Sequence, residues 1–489
     1  MLHSPTDSEA RFVTGNIMRH VVVMAGTGAI GLIAVFAVDL LNLFYISLLG
    51  QRQIAAAVGF AGVVGFFQTS VLIGLTIGVG AVVARSIGAG AAPAARHIAG
   101  SGLVLMVLAG LVVGVGTVVL LGPILRTLHA AGETRRLAES FLMISSPSLP
   151  LLAAGMCCSG LLRCIGDASR AMNVTLFAAL ATAVMDPVLI FGLHLDLRGA
   201  AISTVLSRCV LVTIGWRGAV MQHKLIARPS LPALTRDMAA IFHVAGPAIL
   251  TNLATPVGAA YVTRSMAAFG ADAVAGQATI DRISPVAFGL VYALSGAVGP
   301  ILAQNAGAGR LDRVRETLRD SFAFVLATVL AAWLVLAVAQ GLVVRAFFAR
   351  GVTAELVHLF CSWLAAGFLF TGALFVANAA FNNLGFPVLS TVFNWGRATL
   401  GTIPFVTYGA HFGAAGLLVG QAFGSVVFGT LAVITAFHVV GRLDGTVGRP
   451  GNAMAIPAGT GNAALAALAV RPWRNWHLPA RRQRARTSA

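Results

Sequence analysis

Apolar stretches of about twenty residues or more recur along this chain, each closed by a short run rich in glycine, proline or arginine. A helix needs about 20 mostly apolar residues to cross the hydrocarbon core of a bilayer. Read this way, the pattern predicts twelve spans, at roughly 21–45, 54–83, 98–121, 138–160, 171–193, 199–220, 238–262, 274–303, 320–343, 356–380, 388–409 and 414–439. The fold class expected is an all-α integral membrane protein. Residues 1–20 are polar and include Asp7, Glu9, Arg11 and Arg19, which is not the pattern of a cleavable signal, so the first span is expected to stay as an anchor. Residues 441–489 read as a basic, disordered tail whose apolar patch, AALAALAV, is too short to span.

The spans fall into two related sets. ARSIGAGAAPAARH from Ala84 aligns with AQNAGAGRLDRVRE from Ala303 at an offset of 219, matching Gly88 to Gly307, Gly90 to Gly309 and Arg96 to Arg315. DPVLIFGLHLDLRGAA from Asp186 aligns with IPFVTYGAHFGAAGLL from Ile403 at an offset of 217, and Ala25-Gly26 with Ala245-Gly246 and Gly50 with Gly270 at 220. Three matches in one order at nearly one offset predict a duplicated six-helix unit: an N-lobe over 21–222, a linker over 223–237 and a C-lobe over 238–440. Six is even, so the lobes share one orientation about an axis along the membrane normal, an arrangement that places a binding site between them.

Composition agrees. The chain of 489 residues is 58% hydrophobic and 10% charged, against about a quarter charged in a soluble domain. Its net charge of +17 resides in loops and the tail rather than in a soluble basic domain, so nucleic acid is not an expected partner. Lys224, Arg228, Arg236, Arg310, Arg313, Arg315 and Arg319 share one side and predict that both termini are cytoplasmic. The five cysteines form no Cys-x-x-Cys pair and read as small core residues. Gly26, Gly28 and Gly31 form a Gly-x-Gly-x-x-Gly run, but the apolar stretch continues beyond it and no βαβ unit follows, so helix packing is expected there. No histidine is followed by glutamate, and neither a metal site nor an enzyme activity is expected.

The polar residues inside the spans carry the functional reading. An aspartate at the centre of a membrane helix costs roughly 2.5–3.5 kcal/mol on insertion scales, and such residues mark functional sites by default. Two lie deep in the first half, Asp39 in AVFAVDLLNLFY and Asp186 in AVMDPVLIFG; the repeat places Ala259 and Ile403 opposite them. An acid kept in one copy only points to a task of one lobe, namely binding and release of a proton or sodium ion. Pro187 frees the Ala183 carbonyl, Thr182 lies one turn before Asp186, and Asn42 one turn after Asp39. Gln68, Asn252, Asp281, Arg282, Asn378 and Asn394 are candidates for a substrate cavity, with interhelical hydrogen bonding the alternative for the four amides and a helix-packing pair the alternative for Asp281 and Arg282; Arg208, Arg264 and Arg397 read as arginines reaching toward an interface.

The chain resembles the multidrug and toxic compound extrusion (MATE) transporters over about residues 15–440. The resemblance rests on VDLLNLFYISLLGQRQIAAAVGFAG, on LLRCIGDASRAMNVTLFAALATAVMDPVLIFG with RGAAISTVLS after it, and on AVAGQATIDRISPVAFGLVYALSGAVGPILAQNAGAGRLDRVRE. It implies a two-lobe exporter of twelve helices driven by proton or sodium entry, with Asp39, Asp186 and Thr204 at the ion site. The family's asparagine four residues before the fifth-helix acid is Thr182 here, its proline early in helix one is missing, and the seventh-helix glutamate of its sodium branch is replaced by ILTNLATPVG. The expected function is proton-coupled export (sodium the alternative ion) of amphipathic, cationic organic compounds by a monomer without a cofactor. The alternative is a flippase for a lipid-linked precursor, which would show a more cationic cavity.

Overall fold

The computed structural model describes residues 10–48 and 52–447. Met1–Asp444 forms one compact unit holding every span; residues 441–447, expected to begin a disordered tail, instead continue the last helix, and the rest of that tail lies outside the described residues, as does Gly50. The first six spans are α1 (Ile17–Leu48), α2 (Arg52–Gly88), α3 (Ala92–Val119), α4 (Gly132–Cys164), α5 (Ala168–Gly192) and α6 (Asp196–Gln222). The second six are α7 (Leu231–Ala267), α8 (Ala271–Ala287 and Gly289–Gly307), α9 (Leu311–Ala346), α10 (Gly351–Ser362 and Leu364–Leu384), α11 (Pro387–Ala398 and Ile403–Ala410) and α12 (Gly413–Val447). Proline at the first helical turn, where no N–H partner is needed, starts α3, α7 and both pieces of α11.

Among the described residues, ten helices are long and apolar enough to cross a membrane alone. The two pieces of α8 meet at 54° and make an eleventh span, Pro285 lying just before the bend. The twelfth is α11, whose two short helices together fill the expected 388–409. The expected tenth span starts inside Gly351–Ser362 and crosses the break at Trp363. The linker is shorter than the sequence suggests, since α7 begins at Leu231 and includes Arg236 and Asp237.

Two lobes of six helices result. Within the N-lobe α3 packs on α4, and α5 on both α1 and α6; within the C-lobe α8 packs on α10 and α7 on α11. The lobes meet through α2 against α7 and α8, and through α1 against α8. Among the described residues their tightest backbone approach is at the end carrying the connections 88–92, 164–168 and 307–311. There a Cβ on Gly88 would strike the Gln304 carbonyl, and one on Gly307 the Arg85 carbonyl. The repeated glycines therefore let α2 and α8 cross at backbone contact.

The polar ties across this crossing obey the same repeat. Arg85 donates to the Asn383 carbonyl, and Gln304 Nε2 to the Cys164 carbonyl at 2.6 Å; both partners are related by the offset of 219. Ser101 Oγ donates to Asp237 at 2.8 Å. The segment before α1 is clasped at this end too. Phe12 is 1% exposed; its N–H donates to Gln304 Oε1 at 3.0 Å, its carbonyl accepts from Asn305 and Arg313, and Arg11 donates to the Gly166 carbonyl. At the opposite end the lobes pack within themselves: Ile54, Ala57, Ala61 and Val64 of α2 join Leu121, Leu125, Leu142 and Leu197, all of the N-lobe. Among the described residues, the lobes are thus tied together at one end, the shut end, and packed within themselves at the other.

Candidate functional site

Between the lobes lies a cavity of about 900 Å³. Its N-lobe wall is mostly apolar, built from Leu32, Phe36, Phe66, Ile73, Ile77 and Met156, and its C-lobe wall is amide-rich. Asn252, Asn378 and Asn394 line it, as does Asp281. Their groups are ordered by local hydrogen bonds: Gln277 Nε2 donates to Asp281 at 2.9 Å, Asn394 to Asn378 at 3.0 Å, and Asn252 to the Ala248 carbonyl at 2.8 Å. Tyr292 stands at the centre of a ring cluster, with Phe375 at 5.6 Å, Phe368 at 6.0 Å and Phe36 at 6.2 Å between centroids.

Two of the cavity candidates lie elsewhere. Gln68 is buried inside the N-lobe and donates to Thr117 and Ser146, both at 3.0 Å, so it ties α2 to α3 and α4. Arg282 is exposed and off the lining, because one residue beyond Asp281 on a helix turns it by about 100°. Two arginines take their place, Arg163, which the sequence reading did not single out, and Arg397, which it assigned to an interface. Arg163, near the end of α4, and Arg397, at the end of the first piece of α11, both line the cavity. Neither forms an ion pair among the described residues, and the buried Nε of Arg397 has no partner. Arg397 therefore does not reach for an interface as its sequence context suggests. Nor does Arg208, which donates to Ser145 O at 2.6 Å and Ser148 Oγ at 2.7 Å.

The acids of the N-lobe have unlike surroundings. Asp186 is fully buried, and neither carboxylate oxygen has a hydrogen-bond partner. Pro187 follows it, and the helix widens into a π-turn over Val188–Gly192. Ser203 of α6 lies beside the carboxyl, its own hydroxyl buried and unpartnered. The neighbouring Thr204 instead donates to Ala200 O at 3.0 Å, and Thr182 to Ala178 O at 3.2 Å, leaving only their lone pairs for a ligand. Asp39 is exposed and Asn42 half-buried.

Helices α1 and α5 run parallel, touching at Gly31 against Thr175 and at Tyr45 against Phe191, whose rings are 6.0 Å apart. Asp39 and Asp186 lie between those contacts at nearly one level, but no hydrogen bond joins them. The expectation of two buried acids therefore holds for Asp186 alone. Asp39 sits one turn beyond Phe36, the last α1 residue on the cavity wall, where the lobes have begun to part. None of the described residues forms a cluster able to hold a metal ion through histidine, cysteine and carboxylate ligands.

Outside the spans, Asp167 caps α5 by accepting from the Arg170 N–H at 3.1 Å and pairs with His223 at 2.8 Å and with the Arg170 guanidinium. Burial pushes its carboxyl up, but the hydrogen bonds from Arg170 and His223 outweigh it and hold the carboxyl below its ordinary range.

Known proteins share this architecture. The chain is 27% identical over 435 residues, 87% of its length and 95% of the relative's, to a Shewanella oneidensis protein named FAD transporter. It is 24% identical over 355 residues, 68% of its length and 76% of the relative's, to the multidrug export protein MepA of Staphylococcus aureus. A crystal structure of a mutant Vibrio cholerae MATE transporter, VcmN, has the same fold, with a TM-score of 0.83 at 23% identity over 87% of this chain and 97% of that one. The MatE family model matches residues 29–188 and again 247–407, once in each lobe, and the chain, a multi-pass membrane protein with a cavity between two sibling lobes, belongs to the MatE family of transporters.

Proposed function

We propose that this protein is an ion-coupled exporter of amphipathic organic compounds in a bacterial inner membrane, working as a monomer whose lobes, 21–222 and 238–440, rock against each other. Protons are the favoured coupling ion and sodium the alternative. Lys224, Arg228, Arg310 and Arg315 sit at the shut end, so the positive-inside rule makes that end, and both termini, cytoplasmic. The cavity then faces outward.

The observation that carries the coupling is Asp186. A charged carboxylate with no partner at zero exposure is expensive, whereas a protonated one can donate to Ser203 or to the carbonyl that Pro187 frees. We therefore assign the proton to Asp186 in this outward-facing state. Release to the cytoplasm charges the group and favours the opposite state, and the ion drives the cycle because its affinity differs between the two. Asp39, exposed at the same level, relays the proton between Asp186 and the open side.

The relatives' names bracket the substrates, a flavin nucleotide for one and multiple drugs for the other. Cationic drugs remain a reading for the Asp281 wall. Arg163 and Arg397 favour a second reading, flipping of a lipid-linked phosphate precursor, which would move a headgroup across vesicles without an ion gradient. The decisive test is efflux from proteoliposomes under imposed proton or sodium gradients. Wild-type transport should follow the proton gradient, and Asp39→Asn and Asp186→Asn should each lose it while still inserting. Gradient-driven transport at the wild-type rate in Asp186→Asn would remove that residue from the mechanism.

A further inference from the structure

Both cavity arginines lack an ion-pair partner among the described residues. A guanidinium taken out of bulk water needs a counter-charge or a full set of acceptors, and neither has one among the described residues. The lining holds one carboxylate, Asp281, which accepts from the Gln277 amide and lies within electrostatic reach of Tyr292 but forms no ion pair with either arginine. Arg163 reaches α8 at Gly296, where a Cβ would come within 3.4 Å of its Nη1. Arg397 lies within electrostatic reach of Tyr292, four residues earlier on the same helix face. The two guanidiniums, one from each lobe, thus line one cavity and face the same helix, α8. Tyr292 also anchors the ring cluster with Phe36 and Phe375.

We infer that Arg163, Arg397 and Tyr292 form a subsite for an aromatic phosphate, the phosphate bridging the two guanidiniums and the ring stacking in the Phe36–Tyr292–Phe375 cluster. The ligand class is an aromatic ring system carrying a phosphate ester, not a cation. The planar forks of arginine suit phosphate oxygens, and contributing one from each lobe makes the ligand a bridge between them. This deepens the exporter reading and rests on it only for the ligand's onward movement.

Equilibrium binding to the purified full-length protein, with no gradient, separates the two. Flavin mononucleotide and riboflavin share a ring and differ by a phosphate, and flavin fluorescence reports binding. The phosphate ester should bind at least about tenfold tighter. Arg163→Gln and Arg397→Gln should each reduce the preference to about twofold or less while riboflavin affinity stays unchanged, and Arg397→Lys should retain part of it. If a Gln variant fails to fold, the wild-type pair still decides. Equal affinities, no binding of flavin mononucleotide, or a preference surviving both Gln substitutions would overturn the inference. Stronger competition by a short-chain prenyl phosphate than by flavin mononucleotide would assign the arginines to a lipid headgroup and overturn the aromatic part. Binding as inferred with no gradient-driven transport would leave the subsite standing and sink the exporter reading.

Discussion

The two lobes descend from one six-helix unit, and they have kept the gate while abandoning symmetry in the sites. At the shut end, Gly88 and Gly307 play one role on opposite sides of the same crossing, and Arg85 and Gln304 each reach over to the carbonyl at the matching helix end of the other lobe. Away from that end the copies diverge. Asp186 lies buried in one, whereas Ile403 in the other is 41% exposed beside a broken helix. Arg163 corresponds to Asn382, and the apolar N-lobe wall faces an amide-rich C-lobe wall. A gate must close two bodies against each other, so each change on one side has to be met on the other. The proton site proposed at Asp186 is needed only once, and a second would add the cost of another intramembrane acid.

The sharpest way to break the comparison is to fill the crossing. Gly88→Val and Gly307→Val each push a side chain into a backbone carbonyl, and overpacking of this kind costs about 1–3 kcal/mol or more. Both variants should lower the thermal midpoint by similar amounts and expose Cys164, at the shut end of the cavity, to a thiol reagent applied from that side. A large effect in one and none in the other would refute the equivalence of the two glycines.

Next in size are the ties. Gln304→Ala strands the buried Phe12 N–H and Cys164 carbonyl, at about 1–3 kcal/mol for each unsatisfied group. Arg85→Ala strands only the Asn383 carbonyl. Hydrogen exchange over residues 10–15 should accelerate in Gln304→Ala and change little in Arg85→Ala, because the clasp hangs on one of the two symmetric ties.

The smallest effect belongs to Asp167, a capping carboxylate of the N-lobe. Its lowered folded value means that its contribution is complete above the ordinary carboxylate range, near pH 3.9, and is lost as pH falls through the folded value. Asp167→Asn should therefore lower the thermal midpoint modestly at neutral pH, and the difference from wild type should vanish at strongly acidic pH. A deficit persisting there would mean that the contribution does not depend on charge.

The apolar runs could be counted because crossing a bilayer demands some twenty residues without charge, and that demand is one-dimensional. The duplication was legible for the same reason: glycines at a helix crossing cannot be replaced, so their spacing survives. Asp186 stood out because an acid followed by proline in such a run has few cheap explanations. The sequence by itself thus determined the membrane class, the twelve spans, the two lobes and one buried acid. Only the tertiary structure decided that Asp39 is exposed, that Ser203 rather than Thr204 faces Asp186, that Gln68 ties helices, and that Arg163 and Arg397 meet in one cavity. Each of those depends on which way a helix is turned toward its neighbours, and that rotation is set by packing across residues hundreds of positions apart.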